Sequence, residues 1–190
     1  WMNERQAPEL LPYETDLVDA LSSAIEDQTD AIAAMGGDPA SDPLRAVLHD
    51  QELERLKFML RAYLRARLAK IEAYTGWLLS PANQLRERLS AAEQRFADGF
   101  NRLVNTHYHE AFLSRLPAPL QKLDTREAGM SMLKQPDLAE AVFCRVNTAL
   151  GDVLLHDGAT GAIRMNPGNI YILQYQSIRA LLATGDVSLL

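Results

Sequence analysis

Thr106-His107-Tyr108-His109-Glu110 combines residue types that could hold a metal ion or relay a proton. The spacing argues against the metal. Histidines at i and i+2 project from opposite sides of a helix and cannot reach one ion, and the productive i, i+4 arrangement of H-E-x-x-H is absent. The better reading is a helix-end pair on a polar face; a metal-dependent enzyme using His107, His109 and Glu110 is the competing hypothesis. Nothing else marks an active site: the chain lacks a G-x-x-x-x-G-K-[ST] phosphate loop, a G-x-G-x-x-G fingerprint and a G-x-S-x-G nucleophile elbow. Its carboxylates are spread among arginines along helical stretches, which suits pairing rather than acid/base work. The residues therefore predict a protein that is not an enzyme and has no cofactor.

A second chemically charged position is Arg67. It belongs to the longest helical stretch, Pro43 to Leu79, which Asp42-Pro43 is suited to start and in which nothing from Glu52 to Ala73 is Gly or Pro. At 3.6 residues per turn, Leu53, Leu56, Leu60, Tyr63, Leu64, Leu68, Ile71, Tyr74 and Leu78 form one stripe, and Arg67 falls inside it. There it either snorkels to water or is buried against a carboxylate from this chain or another. Phe58, Ala62, Ala66, Ala69 and Ala73 line the opposite side. Alanine serves there as a helix former or as a floor that lets a second element come close; the latter makes this helix a hub packed on two sides. Arg61 and Arg65 beside Glu54 and Glu72 read as a self-neutralised, solvated strip.

The bulk properties limit the function classes. The 190 residues are 47% hydrophobic and 23% charged, an ordinary soluble globular composition. Net charge is −6 with a pI near 5.2, which argues against a protein whose main task is gripping phosphates. One cysteine, Cys144, makes no internal disulfide and no cysteine-based zinc site, and suits a reducing compartment. No apolar run is long enough to span a membrane, and the polar, proline-punctuated start is not a signal peptide. Trp1 ahead of Met2 suggests a stretch that begins inside a longer chain or carries an added residue.

Along the chain, Pro8 and Pro12 argue that the first residues cannot begin as a helix, leaving an extended arm anchored by Leu10, Leu11 and Tyr13. Residues from about Glu14 to Met35 keep helical spacing and stop at Gly36-Gly37; GDPASDP is a loop before the hub. Ser90-Ala-Ala-Glu93 is a capping box opening a helix whose face carries Ala92, Phe96, Phe100, Leu103, Val104 and Phe112. Residues 1–120 thus read as an all-helical bundle with its arm, and 121–137 as a linker rich in Pro, Gly and charge. Residues 138–190 form a small β-rich unit: AVFCRV, DVLLHD, AIRM and IYILQY as strands, HDGATG and NPGN as turns. A short helix with Ile178, Leu181 and Leu182 is then stopped by Gly185 before a last strand. The fold class is α+β. A unit that small buries little core and must lean on something. Edge-strand peptide binding and single-strand stacking are open to it in principle, with Tyr171 and Tyr175 as its aromatic handles and no basic cluster beside them.

Several stretches, MNERQAPELLPYE, ELERLKFMLRAYLRARLAKIE, LPAPLQKLD, PDLAEAVFCRV and SIRALLATGDVSLL, resemble in this order the Sld-five type subunit of the eukaryotic GINS complex. The resemblance runs from Met2 to Leu190. It implies a helical A domain followed by a small β-rich B domain, within an obligate heterotetramer of four GINS paralogues. It further implies a role in the nucleus, where that tetramer joins the MCM hexamer and the Cdc-forty-five protein as the replicative DNA helicase, without an ATPase of its own. In some members the extreme N-terminus docks on a replisome adaptor linked to the primase polymerase. Arg67 in the seam would then suit an acidic neighbour subunit. The expected subunit interface comprises Leu53, Leu56, Leu60, Tyr63, Leu64, Arg67, Leu68, Ile71 and Tyr74 of the hub, with Ile178, Leu181, Leu182 and Leu189 of the β-rich unit. The alternative reading is a single-stranded nucleic-acid-binding module.

Overall fold

Uninterrupted helix formers carry one helix, α3, from Pro43 to Leu78, and the rest of the bundle assembles on it. The computed structural model describes residues 1–35, 43–80, 83, 85–121, 126–127, 130–131, 133–153 and 163–190. The expected Asp42 cap, the Gly36-Gly37 stop and the HDGATG turn lie outside the described residues. Helix α3 ends one residue earlier than expected and bends at Tyr74, whose φ of −123° and ψ of 20° leave the helical region. The cause is local: the Thr75 hydroxyl donates to the carbonyl of Ile71, a back-bond that competes with the helical ladder.

Among the described residues α3 is contacted by α1 (Met2–Gln6), α2 (Thr15–Met35) and α4 (Ala91–Ala111). Helix α1 corrects the expectation of a wholly extended arm. Pro8 constrains only the residue before it, and Ala7 is indeed extended (φ −68°, ψ 136°), so Met2–Gln6 remain free to coil. The capping box forms as expected, with Glu93 N–H donating to Ser90 Oγ (3.2 Å) and Ser90 N–H to Glu93 Oε2 (2.9 Å).

After two two-residue strands, β1 (Arg126–Glu127) and β2 (Met130–Ser131), comes a three-stranded antiparallel sheet. It is built from β3 (Ala141–Val146), β6 (Ile170–Gln174) and β7 (Val187–Leu189), in the order β6-β3-β7. Strands β4 (Gly151–Val153) and β5 (Ile163–Met165) form a separate hairpin. Helix α5 (Tyr175–Thr184) packs its buried residues Tyr175, Ile178 and Leu182 on the inner face of the sheet, against Val142, Cys144 and Leu189. Its C-terminus is a Schellman closure: Gly185 N–H donates to Leu182 O and Asp186 N–H to Leu181 O, with Gly185 at φ +82°.

Two apolar cores result, and the N-terminal arm enters both. Ala7 is buried among the residues of the sheet and α5, with Leu11 packed against them. Leu10, three positions on, is buried with Ile71, Leu78, Leu85, Leu89 and Ala97 in the helical core. The β-rich unit, expected to lean on something outside itself, therefore leans on the arm of its own chain.

A β-carbon at Gly185 would have to be held in left-handed backbone, a strain on the order of 1 kcal/mol. Gly185→Ala is expected to speed amide hydrogen exchange in α5 and β7, with exchange in α3 and α4 unchanged.

Candidate subunit-interaction site

The charges are organised around Arg67, which is 0% exposed. Its Nε donates to Glu93 Oε1 (2.7 Å) and Nη2 to Glu93 Oε2 (3.0 Å), a two-pronged pair. Nη1 donates to Glu4 Oε2 (3.1 Å) and to Leu11 O (2.7 Å), and Nη2 also to Arg88 O (2.9 Å). A guanidinium has five N–H groups, and these bonds use all of them. The rings of Tyr13 and Tyr63 stand 5.1 and 5.6 Å from its central carbon. Burial opposes its charge, but the Glu93 hydrogen bonds and the Glu93 and Glu4 charges outweigh that and hold its pKa above the usual value. The expected acidic neighbour subunit is therefore replaced by two carboxylates of this chain: α1 and the start of α4 reach Arg67 from either side.

A second knot lies on the other side of the arm. Glu9 Oε1 accepts from the Tyr175 hydroxyl (3.0 Å) and Arg179 Nε (2.6 Å); Oε2 accepts from Arg179 Nη2 (2.6 Å) and Arg88 Nη1 (3.0 Å). Lys70 closes the gap between the knots, donating to Glu4 Oε1 (2.8 Å), to Glu9 O (2.9 Å) and to Glu4 O. Burial lowers its pKa despite Glu4. Asn3 Oδ1 also accepts from Leu189 N–H (2.9 Å), satisfying β7. No buried side-chain nitrogen or oxygen among the described residues lacks a partner.

This electrostatic tie sets which surfaces stay open. Glu93 must face Arg67, which fixes the rotation of α4, so Glu93 and Ala97 form its buried side. The apolar face read from the sequence is left largely open, with Phe100 and Val104 half-buried. Phe96 and Phe112 are exposed, Leu103 is 67% exposed, and Phe96 stacks on Phe100 with ring centroids 6.0 Å apart. On α3, Phe58 is 62% exposed and Ala69 and Ala73 are exposed, while Ala62 and Ala66 are half-buried, so the small-residue side is partly open.

The expected interface residues divide accordingly. Leu53, Tyr63, Arg67, Ile71, Ile178, Leu182 and Leu189 are buried by this chain itself and present little or no surface. Leu56, Leu60, Leu64, Tyr74 and Leu181 are half-buried, and Leu68 is exposed. Of the arm anchors, Leu10 is fully buried and Leu11 and Tyr13 are half-buried. Sequence reading missed Glu4, Glu9, Arg88 and Arg179; their only signal was that a buried Arg67 demands carboxylates. The expected charged strip is rearranged: Glu54 pairs with Lys57 (2.9 Å), whose hydrogen bond holds the Glu54 carboxyl below its ordinary value.

His107 and His109 are exposed. His109 and Glu110 edge an open cleft of about 630 Å³ backed by Gly76, Leu79, Leu113 and Leu133. Among the described residues no group of three or more His, Cys, Asp or Glu could hold a metal ion. The aromatic handles of the nucleic-acid alternative are spent internally. Tyr175 is fully buried, and the Tyr171 hydroxyl braces the NPGN turn, accepting from Asn166 N–H and donating to Arg164 O. No helix among the described residues is long and apolar enough to cross a membrane.

Removing one partner of the Arg67–Glu93 pair strands a buried charge. Glu93→Ala is expected to destabilise the fold by about 3–5 kcal/mol in denaturant titration, and Arg67→Lys to lose the two-pronged geometry and fail to restore it. Burial and Glu9 push the Tyr175 phenol far above its ordinary 10.0. Its contribution is complete below pH 10 and is lost as pH rises toward the folded value, because only the unfolded phenol can then release its proton. The denaturation midpoint is expected to fall above pH 10 in the parent chain and to fall less steeply in Tyr175→Phe.

Two family models match these units. One described as the GINS complex protein helical bundle domain covers residues 12–112, and one described as the DNA replication complex GINS protein SLD5 C-terminus covers residues 136–190. The chain is 36% identical over 190 residues to the DNA replication complex GINS protein sld5 of Schizosaccharomyces pombe, spanning all of this chain and 88% of that relative. It is 32% identical to the SLD5 protein of Rattus norvegicus and 31% identical to that of Arabidopsis thaliana, spanning 85% and 87% of those relatives.

Proposed function

The chain belongs to the Sld5 family of GINS proteins of DNA replication, and on that premise we propose that it is a non-catalytic scaffold subunit of a GINS heterotetramer. One observation carries the scaffold reading. A chain whose buried charges are fully satisfied among the described residues still leaves Phe58 of α3 and Phe96, Phe100 and Leu103 of α4 at least partly open to water on its helical bundle. Apolar surface of that kind on a well-satisfied fold is what a permanent subunit interface looks like before its partner arrives.

In this reading residues 1–120 and 138–190 are the A and B domains and 121–137 connects them. The paralogous subunits cover the open faces of α3 and α4, with Leu68 and the half-buried Leu56, Leu60 and Leu64 at the margin. The tetramer works in the nucleus, joins the MCM hexamer and the Cdc-type partner as the replicative helicase, and supports initiation and fork progression. An adaptor linked to the primase polymerase is a further partner. Direct contact with DNA is weak or absent, in keeping with the net charge of −6.

Co-expression with three paralogues tests this. The chain alone is expected to self-associate or precipitate, and the four together to yield an equimolar complex by size exclusion and mass spectrometry. Leu103→Glu with Phe58→Glu is expected to lower recovery of that complex at least about tenfold, whereas Arg65→Glu leaves it near the parent level. A well-behaved lone monomer, or equal recovery from both variants, would refute the scaffold reading.

A further inference from the structure

An antiparallel sheet with one face on a core and the other in water normally alternates apolar inward and polar outward. The three-stranded sheet here obeys the rule only on its inner side, where Val142, Cys144 and Val146 are buried. On the outer side Phe143 stands directly opposite Ile172, and Arg145 directly opposite Ile170. Phe143 is 55% exposed, Ile170 53% and Ile172 61%. Neighbouring strands lie roughly 4.8 Å apart and same-face residues of one strand roughly 7 Å apart, so the three side chains form one continuous patch. Arg145 is its only charged outward-facing group on these strands, and among the described residues it forms no ion pair, in a chain of net charge −6.

We propose that this outer face docks an amphipathic helix of a different protein chain, which lays an apolar stripe over Phe143, Ile170 and Ile172 and sets a carboxylate against Arg145. The patch is two strands wide and two outward residues long, close to the roughly 5.4 Å repeat of one helical turn, so side chains at i and i+4 cover it. A sheet face left apolar is closed by a packed layer, and helix on sheet is the layer a patch this small accepts. Charge decides between partners. A second copy would meet this surface with the same unpaired cation, since a two-fold contact puts the same patch on both sides. An added edge strand would leave the face itself uncovered.

The face is made of β3 and β6 residues and shares none with the α3 and α4 surfaces assigned to tetramer assembly, so the two readings fail separately. The test places p-benzoylphenylalanine at position 143 of the full chain and crosslinks it in cells together with the three paralogues. Crosslinks are expected on one segment of another protein chain whose apolar residues recur at i and i+4 beside an Asp or Glu. Arg145→Glu should cut the yield about fivefold, the scale of one exposed ion pair, and changing that carboxylate to Arg should restore it. Amide exchange in β3 checks that Arg145→Glu keeps the sheet intact; if it does not, Arg145→Gln takes its place, with a smaller loss expected. Crosslinks to this chain or to a second copy overturn the proposal. So do absence of crosslinks and a yield indifferent to the charge at position 145. Crosslinking intact while the tetramer fails to form would count against the scaffold reading alone.

Discussion

A guanidinium sealed from water is tolerable only if every N–H finds an acceptor and its charge finds a carboxylate. Arg67 meets both conditions, and in doing so it dictates the geometry around it. Glu4 fixes where the arm lies, Glu93 fixes the rotation of α4, and the carbonyls of Leu11 and Arg88 hold the two approaching chain segments at bonding distance.

The arm is the second consequence. Ala7 and Leu10 are only three residues apart, yet each is buried in a different core, while Glu4 and Glu9 serve a different ion knot each. Thirteen or so residues thus act as a tenon between the helical bundle and the β-rich unit. This explains how a unit of that size, too small to bury much core of its own, is held. It also separates two kinds of surface. What the arm and Arg67 close is internal, and what they leave open on α3, α4 and the outer sheet is available to other chains.

The contrast between α3 and α4 shows how far pattern reading reaches. On α3 the long run without Gly or Pro and the Leu/Tyr stripe made the helix and its buried side readable, because periodicity and propensity act within one element. On α4 the capping box and the apolar face were equally readable, but that Phe96 and Leu103 of this face stay open to water was not. Periodicity reports that a face is apolar and does not say which chain covers it. The arm failed for a related reason: proline reports on its own neighbour, and the pairing of Glu4 with Arg67 across 63 positions stabilises a turn of helix that local signals do not reveal.

Determined by the sequence alone were the order and type of the main elements, the absence of nucleotide and metal motifs, and the membership that several stretches in fixed order carry. All of these are local or cumulative properties of the chain. The partners of Arg67, the docking of the arm into two cores and the set of apolar faces left open were decided only by the tertiary structure. Each of them depends on which distant groups meet, and a buried charge specifies that it needs a carboxylate without specifying which one.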